Sequence, residues 1–215
     1  MGAPVMTITF PITNLLDLYP ISPTGYNFRL HHRQEQSRTA GGRTIVKDFG
    51  PPLWLLDAST GMLPHADAID FEAMLASMNN GIGTFLAWDL RRAFPAAHSL
   101  GDFDDSATIL SLGANNKSLR LTGLFPGFQL SRGDYLSITF SGHRYLHQIL
   151  EPATVMPDGS TSFFEVTPHF QPGTVAGASV VLKKPSAVMA LVPNSIQTQV
   201  GALHTSISFQ ACEAF

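Results

Sequence analysis

Short apolar or alternating runs follow one another along most of this 215-residue chain, each closed by a residue that turns the backbone. A period of two marks half-buried strands. In the first part such runs fall at residues 7–10, 26–33, 43–48 and 53–57. Between the second and third, residues 34–42 are polar and end on Gly41-Gly42, which predicts a long β-hairpin with an exposed tip. Pro51-Pro52 interrupts the next connection, because neither nitrogen can donate to a ladder.

The period then changes. Phe71, Met74, Leu75 and Met78 stand at i, i+3, i+4 and i+7, a single apolar stripe that predicts one helix over about 67–80. Asp67 suits its N-cap and Asp70 the positive helix end, while Asn79-Asn80-Gly81 supplies the stop. Residues 83–89 read as a strand. Residues 96–117 hold Asp102, Asp104, Asp105, two Gly and two Asn. They form either an extended arm or a loop carrying a short strand at 108–112, and loops of that length inside compact domains are usually functional or ordered by partners.

From residue 118 onward the strand pattern is densest. Gly133-Asp134 opens one strand, an apolar strand ends at Glu151, and Pro157-Asp158-Gly159 turns between strands at 146–155 and 162–167. In the final strand His204, Ser206, Ser208 and Gln210 alternate with Thr205, Ile207, Phe209 and Ala211, giving one wet and one dry face. The predicted fold is mainly β: a two-sheet sandwich or barrel core with one helix, followed by a small C-terminal barrel-like section. The corresponding divisions are 1–95, 96–117 and 118–215, with a single intertwined domain as the alternative.

Composition sharpens this. Charged residues make up 13% of the chain, about half of the roughly 25% usual in soluble domains. Charge depletion is a property of interface cores, so a surface covered by other protein is the favoured reading over a neutral monomer surface. The net charge of −3 and the lack of a Lys/Arg cluster argue against nucleic-acid binding. One cysteine, Cys212, excludes an intramolecular disulfide and reads as a small apolar residue. Neither a secretory signal nor a membrane-spanning run is expected, and Met6 stands where an N-myristoylation signal wants Ser or Thr.

A search for chemistry yields no expected catalytic, cofactor or metal residue. Nucleophile-elbow, phosphate-loop and zinc-protease patterns are absent. His31 and His32 would point to opposite faces of a strand, and His143 and His147 would share a face but stand roughly 13 Å apart. His169 is the third histidine that could come near. Asp102, Asp104 and Asp105 lack the closing carboxylate of a calcium loop and read instead as a solvated acidic loop or subunit contact. Glu165 is the best placed acid for a glycosidase pair. The candidate contact residues are Gln34, Gln36 and Arg38 in the hairpin, with Asp102, Asp104 and Asp105 in the acidic loop.

Leu124-Phe125-Pro126-Gly127-Phe128, Gly133-Asp134-Tyr135, the strand through Tyr145, Pro157-Asp158-Gly159, Phe164-Glu165-Val166-Thr167-Pro168 and Gly177 together resemble the distal tail proteins and related baseplate components of long-tailed bacteriophages. Residues 28–33, Gly41-Gly42, Trp54, the helix and the strand through Thr84-Phe85 are similar to the core that such proteins share. The resemblance implies a virion tail-tip protein made in the bacterial cytoplasm. It implies assembly as a ring, a hexamer before a trimer, joining the tail tube to hub or tail-fibre proteins, with no cofactor. The departure is that no separate C-terminal carbohydrate-binding module is visible. The alternative is a carbohydrate- or receptor-binding β-sandwich using Trp54, Trp88 or Tyr145.

Overall fold

The computed structural model describes residues 8–214. Its strands in chain order are β1 (Ile21–His31), β2 (Gln34–Arg38), β3 (Thr44–Asp48), β4 (Leu53–Thr60), β5 (Thr84–Ala87), β6 (Thr108–Leu112), β7 (Ser118–Thr122) and β8 (Gln129–Leu130). They continue with β9 (Tyr135–Phe140), β10 (His143–Ile149), β11 (Ala153–Thr154), β12 (Phe164–Thr167), β13 (Ser179–Val181), β14 (Ala187–Leu191), β15 (Gln197–Val200) and β16 (Thr205–Glu213). A single helical turn, α1 (Leu15–Leu18), precedes the main helix α2 (His65–Ser77). The molecule is mainly β, with one substantial helix, several sheets and a closed barrel, as the periodicity predicts.

Two compact units are formed. Of the described residues, the first takes 8–29, 54–87 and 188–214; the second takes 30–53 and 88–187. In the first, the sheet order is β1-β4-β16-β14-β5, with β15 also paired to β16. β4 and β16 pair antiparallel with Ala211 opposite Leu56 and Phe209 opposite Ala58, so their alternating apolar positions share one face. That face buries Trp54, Leu56, Ala58, Ile207, Phe209 and Ala211. The other carries Asp57, Ser59, Ser208 and Gln210. Asp57 accepts from Gln210 at 2.9 Å and from the Arg29 guanidinium.

Helix α2 lays Ala68, Phe71 and Leu75 on this core, followed by Met78. Phe71 meets Phe209 edge-on at 6.0 Å and Tyr19 at 4.3 Å. Two details differ from the periodicity. Asp67 is in the first turn and not the N-cap, because the helix begins directly after Pro64, whose φ of −52° presets entry. Met74 is only half-buried, at the margin of the stripe. The stop is as read: Asn79, Asn80 and Gly81 all have positive φ, and a Cβ on Gly81 would stand 2.5 Å from the Leu191 carbonyl oxygen, so only glycine fits. Residues 8–10, expected as part of a strand, are irregular; residue 7 lies outside the described residues. Just beyond them, Ile12 forms a parallel bridge to Phe85 of β5.

In the second unit six strands close a barrel in the order β10-β12-β7-β6-β13-β9. Leu119, Leu121, Phe128, Leu136, Ile138, Ile149, Phe164, Val166, Val180 and Leu182 fill it. β9 and β10 are joined by Ser141-Gly142, both at positive φ, the two-residue turn whose twist matches antiparallel strands. The strand predicted at 146–155 is two elements. β10 ends at Ile149, and after Glu151-Pro152 the chain forms β11, which pairs with β8 in a separate two-stranded ribbon. Pro152 has no N–H to carry the ladder on. The turn at Asp158-Gly159 is present, with Gly159 at φ +77°. The 108–112 strand is β6, a barrel stave, and the rest of the 96–117 stretch is loops and a tight helical turn at Ala96–His98.

Candidate functional site: an exposed arm on a braced scaffold

Between β1 and β4 the chain forms β2 and β3 as a two-stranded sheet of their own. Five pairs set its register, from Gln34 opposite Asp48 to Arg38 opposite Thr44. Thr39 closes the tip, its hydroxyl accepting from the Arg43 N–H at 3.1 Å, and Gly42 turns at φ +79°. Every residue from 31 to 49 is exposed, including Ile45, Val46 and Phe49, each about half exposed. Gln34, Gln36 and Arg38 therefore stand on open surface. Antiparallel pairing puts Gln34, Gln36, Arg38, Thr44, Val46 and Asp48 on one face, and Glu35, Ser37, Ile45 and Lys47 on the other. Each face mixes polar and apolar groups, and neither is dry.

The acidic loop behaves differently. Asp102 and Asp104 are exposed. Asp105 accepts from the backbone N–H groups of Leu182 and Lys183 at 2.8 and 3.0 Å, which ties the loop to the end of β13. The two sets of candidate contact residues thus split into an open arm, two open acids and one structural brace.

Two further carboxylates, not singled out by sequence, fix the barrel's entry loops. Asp134 is fully buried and accepts from Arg92 at 2.9 Å, from the Ala96 N–H at 3.0 Å and from the Ser131 N–H at 2.7 Å. Asp89 accepts from Arg91 and from the Tyr135 hydroxyl at 3.2 Å. Burial alone would raise its pKa, but the Arg91 hydrogen bonds hold it below the usual carboxylate value, while burial and the Asp89 charge push Tyr135 up. The Gly133-Asp134 pair was the only signal: an acid directly after a turn glycine, ready to cap a loop. His98 stacks on Phe128 at 4.0 Å, with Phe103 and Phe125 edge-on around it, and accepts from the Gln129 N–H.

The histidines do not assemble. His31, His32, His143 and His169 are exposed, whereas His147 is buried in the barrel with Nδ1–H donating to the Pro168 carbonyl at 2.9 Å. Burial lowers its pKa to about 4, so it is neutral. Among the described residues no group of three His, Cys, Asp or Glu is placed to hold a metal. Glu165 bonds Lys117 at 2.6 Å and Asn115 at 3.0 Å, and is occupied as a barrel-edge ion pair. Glu213, at the end of β16, is buried and accepts from the Trp54 N–H at 3.1 Å; burial pushes it up to about 7.

The aromatic residues invoked for sugar binding are also placed. Trp54 and Trp88 are 1% and 3% exposed, with Trp54 stacked on Phe28, so neither offers a ring face to a glycan; this corrects their reading as exposed platforms. Tyr145 is half-buried against Phe140. No protein-family model matches this chain, and no curated protein sequence matches it.

Proposed function

We propose that this protein is a structural adaptor that works by assembly, a ring-forming component of the tail tip of a long-tailed phage that joins the tail tube to the hub and receptor-binding apparatus. The observation that carries the reading is the arm. A two-stranded ribbon with all residues exposed has no core to hold it, and such ribbons are marginal in water on their own. A chain that builds one between two strands of a packed sheet gains from it when a partner covers it. The tail-tip resemblance and the low charge point the same way, and repeated head-to-tail contacts between identical chains form rings when the rotation between copies closes. Burial of Trp54 and Trp88 weighs against the glycan-binding alternative.

The deciding experiment is imaging of the native particle together with mass measurement of the purified chain and its tail partners. Ring density at the distal end of the tail, with several copies of the chain, is the expected result. A chain that never enters a particle, or one with an enzymatic turnover abolished by a single His or Glu substitution, overturns the proposal.

A further inference from the structure

Charge is partitioned unevenly along the chain. The segments 1–29, 54–87 and 188–214 hold six acids, Asp17, Asp57, Asp67, Asp70, Glu72 and Glu213, and a single base, Arg29. Arg29 is already bonded to Asp57. The carboxylates of helix α2 therefore have no Lys or Arg left in their own unit to neutralise them. Asp67 and Asp70 are exposed, one helical step apart, and the hydroxyl of Tyr19 donates to Asp70 at 2.5 Å. Burial first, then the Asp70 hydrogen bond and the charges of Asp70 and Asp67, raise Tyr19 to about 12.

The arm has the opposite sign. Residues 33–48 carry Arg33, Arg38, Arg43 and Lys47 against Glu35 and Asp48, a net +2 on a chain of net −3. Its outer half, around the tip, holds Arg38 and Arg43 with no acid between them. Dimensions match as well. Five residue pairs extend roughly 17 Å at strand rise, and the thirteen residues of α2 about 20 Å at helix rise. Each surface also exposes apolar area, Ile45 and Val46 on the arm and Ile69, 66% exposed, on the helix.

We infer that the arm of one copy docks along helix α2 of a second copy through its Arg38 face, with Arg38 and the tip residue Arg43 against Asp67 and Asp70 and Val46, which shares that face with Arg38, on Ile69. The contact is head-to-tail: each chain gives an arm and receives one, so it repeats from copy to copy, the kind of contact that builds a ring when the rotation closes. An apolar centre with a charged rim is the usual anatomy of a protein interface, and opposite charge sets its register and its partner choice. The inference rests on the self-assembly part of the proposed function and does not depend on where in a particle the ring sits.

The test uses the full chain in sedimentation velocity, at low and high salt. Wild-type protein associates, more weakly as salt rises. An arm reversal, Arg38→Glu with Arg43→Glu, and a helix reversal, Asp67→Arg with Asp70→Arg, each weaken association by roughly tenfold or more. Asp67→Arg alone, which spares the Tyr19 bond, gives a smaller loss in the same direction. All variants are checked for folding by circular dichroism. Mixing the two reversed proteins restores association, because every contact in the mixed ring is again between opposite charges. A monomeric wild-type chain, an arm reversal that associates normally, or a mixture that stays apart overturns the inference. If reversed chains still form rings in tails, the arm–helix pairing fails while the adaptor reading stands; if no copy enters a particle, the adaptor reading fails separately.

Discussion

The barrel and the arm are both antiparallel β-structure, and they are held together in opposite ways. In the barrel each strand gives its inward residues to one cluster, and β9 is buried from Tyr135 through Ile138. Its loops are pinned by a buried carboxylate with three donors. In the arm five residue pairs set the ladder, yet no residue of either strand is buried. Hydrogen bonds exchanged with water contribute only about 1 kcal/mol each, so a ladder without burial specifies a shape but does not secure it. The barrel is secured by its own buried core; the arm gains nothing from burial within its own strands.

The largest expected effect tests the barrel side of that contrast. Phe164→Ala removes a fully buried ring from the barrel core and should cost about 3–5 kcal/mol in denaturant unfolding. A loss below about 1 kcal/mol would mean the cluster is loose, and the contrast with the arm would lapse. In the sheet unit, Leu75→Ala should cost about 2–5 kcal/mol, and Met74→Ala clearly less, because Met74 is only half-buried. Equal losses at the two positions would show that the helix sits rotated from the arrangement described.

The two scaffold units can also be told apart by pH. His147 is held neutral, its pKa depressed from 6.5 to about 4 by burial. Between those values the unfolded chain binds the extra proton, so the barrel's stability is full above pH 6.5 and falls as pH drops toward 4. Glu213 is raised from 4.5 to about 7 by burial. There the native state holds the extra proton, so the sheet unit is most stable near pH 4.5 and weakens as pH rises through 7. Each swing is on the order of 3 kcal/mol. Each unit holds one of the two tryptophans, Trp88 in the barrel unit and Trp54 in the sheet unit, so fluorescence of Trp54→Phe and Trp88→Phe variants follows them separately. Glu213→Gln, which still accepts from the Trp54 N–H, should flatten the neutral-pH limb and leave the acid limb in place. An unchanged neutral limb would show that Glu213 is ionised in the folded protein.

What the chain made legible follows from how local each signal is. The dry face of β16, Thr205, Ile207, Phe209 and Ala211, was readable because alternation needs only the strand itself, and all four are buried. The helix stripe and its Asn-Asn-Gly stop were readable for the same reason. The break at Pro152 is hidden in the sequence because the apolar run continues through Ala153 and Val155, and only pairing shows that β11 belongs to β8. The Asp134 brace joins residues 42 positions apart in sequence to Arg92, which no local pattern reports. The burial of Trp54 and Trp88 depends on which face the tertiary fold covers. For the arm the legibility is inverted: its exposure is readable because the segment is polar and Gly-tipped, while the docking proposed for it depends on a second molecule, which no local pattern reports.

The smallest expected effect on stability is at the arm, and it is the sharpest test of the contrast. Ile45→Ala should change unfolding stability by less than about 0.5 kcal/mol, since its side chain already faces solvent. The same ribbon should be the first site cut by protease in dilute, high-salt solution, with cleavage near Gly41-Gly42, where the tip is exposed and glycine-rich. The nicked chain should stay folded under native conditions, because no strand of the barrel or sheet core is itself cut. Under conditions where copies associate, the same site should become slow to cut. If the arm resists protease in the dissociated chain, it is held by its own molecule and the division between a self-sufficient scaffold and a partner-dependent ribbon is wrong. If it is cut equally fast when associated, the copies meet elsewhere, and the arm's basic tip is free for a different acidic partner.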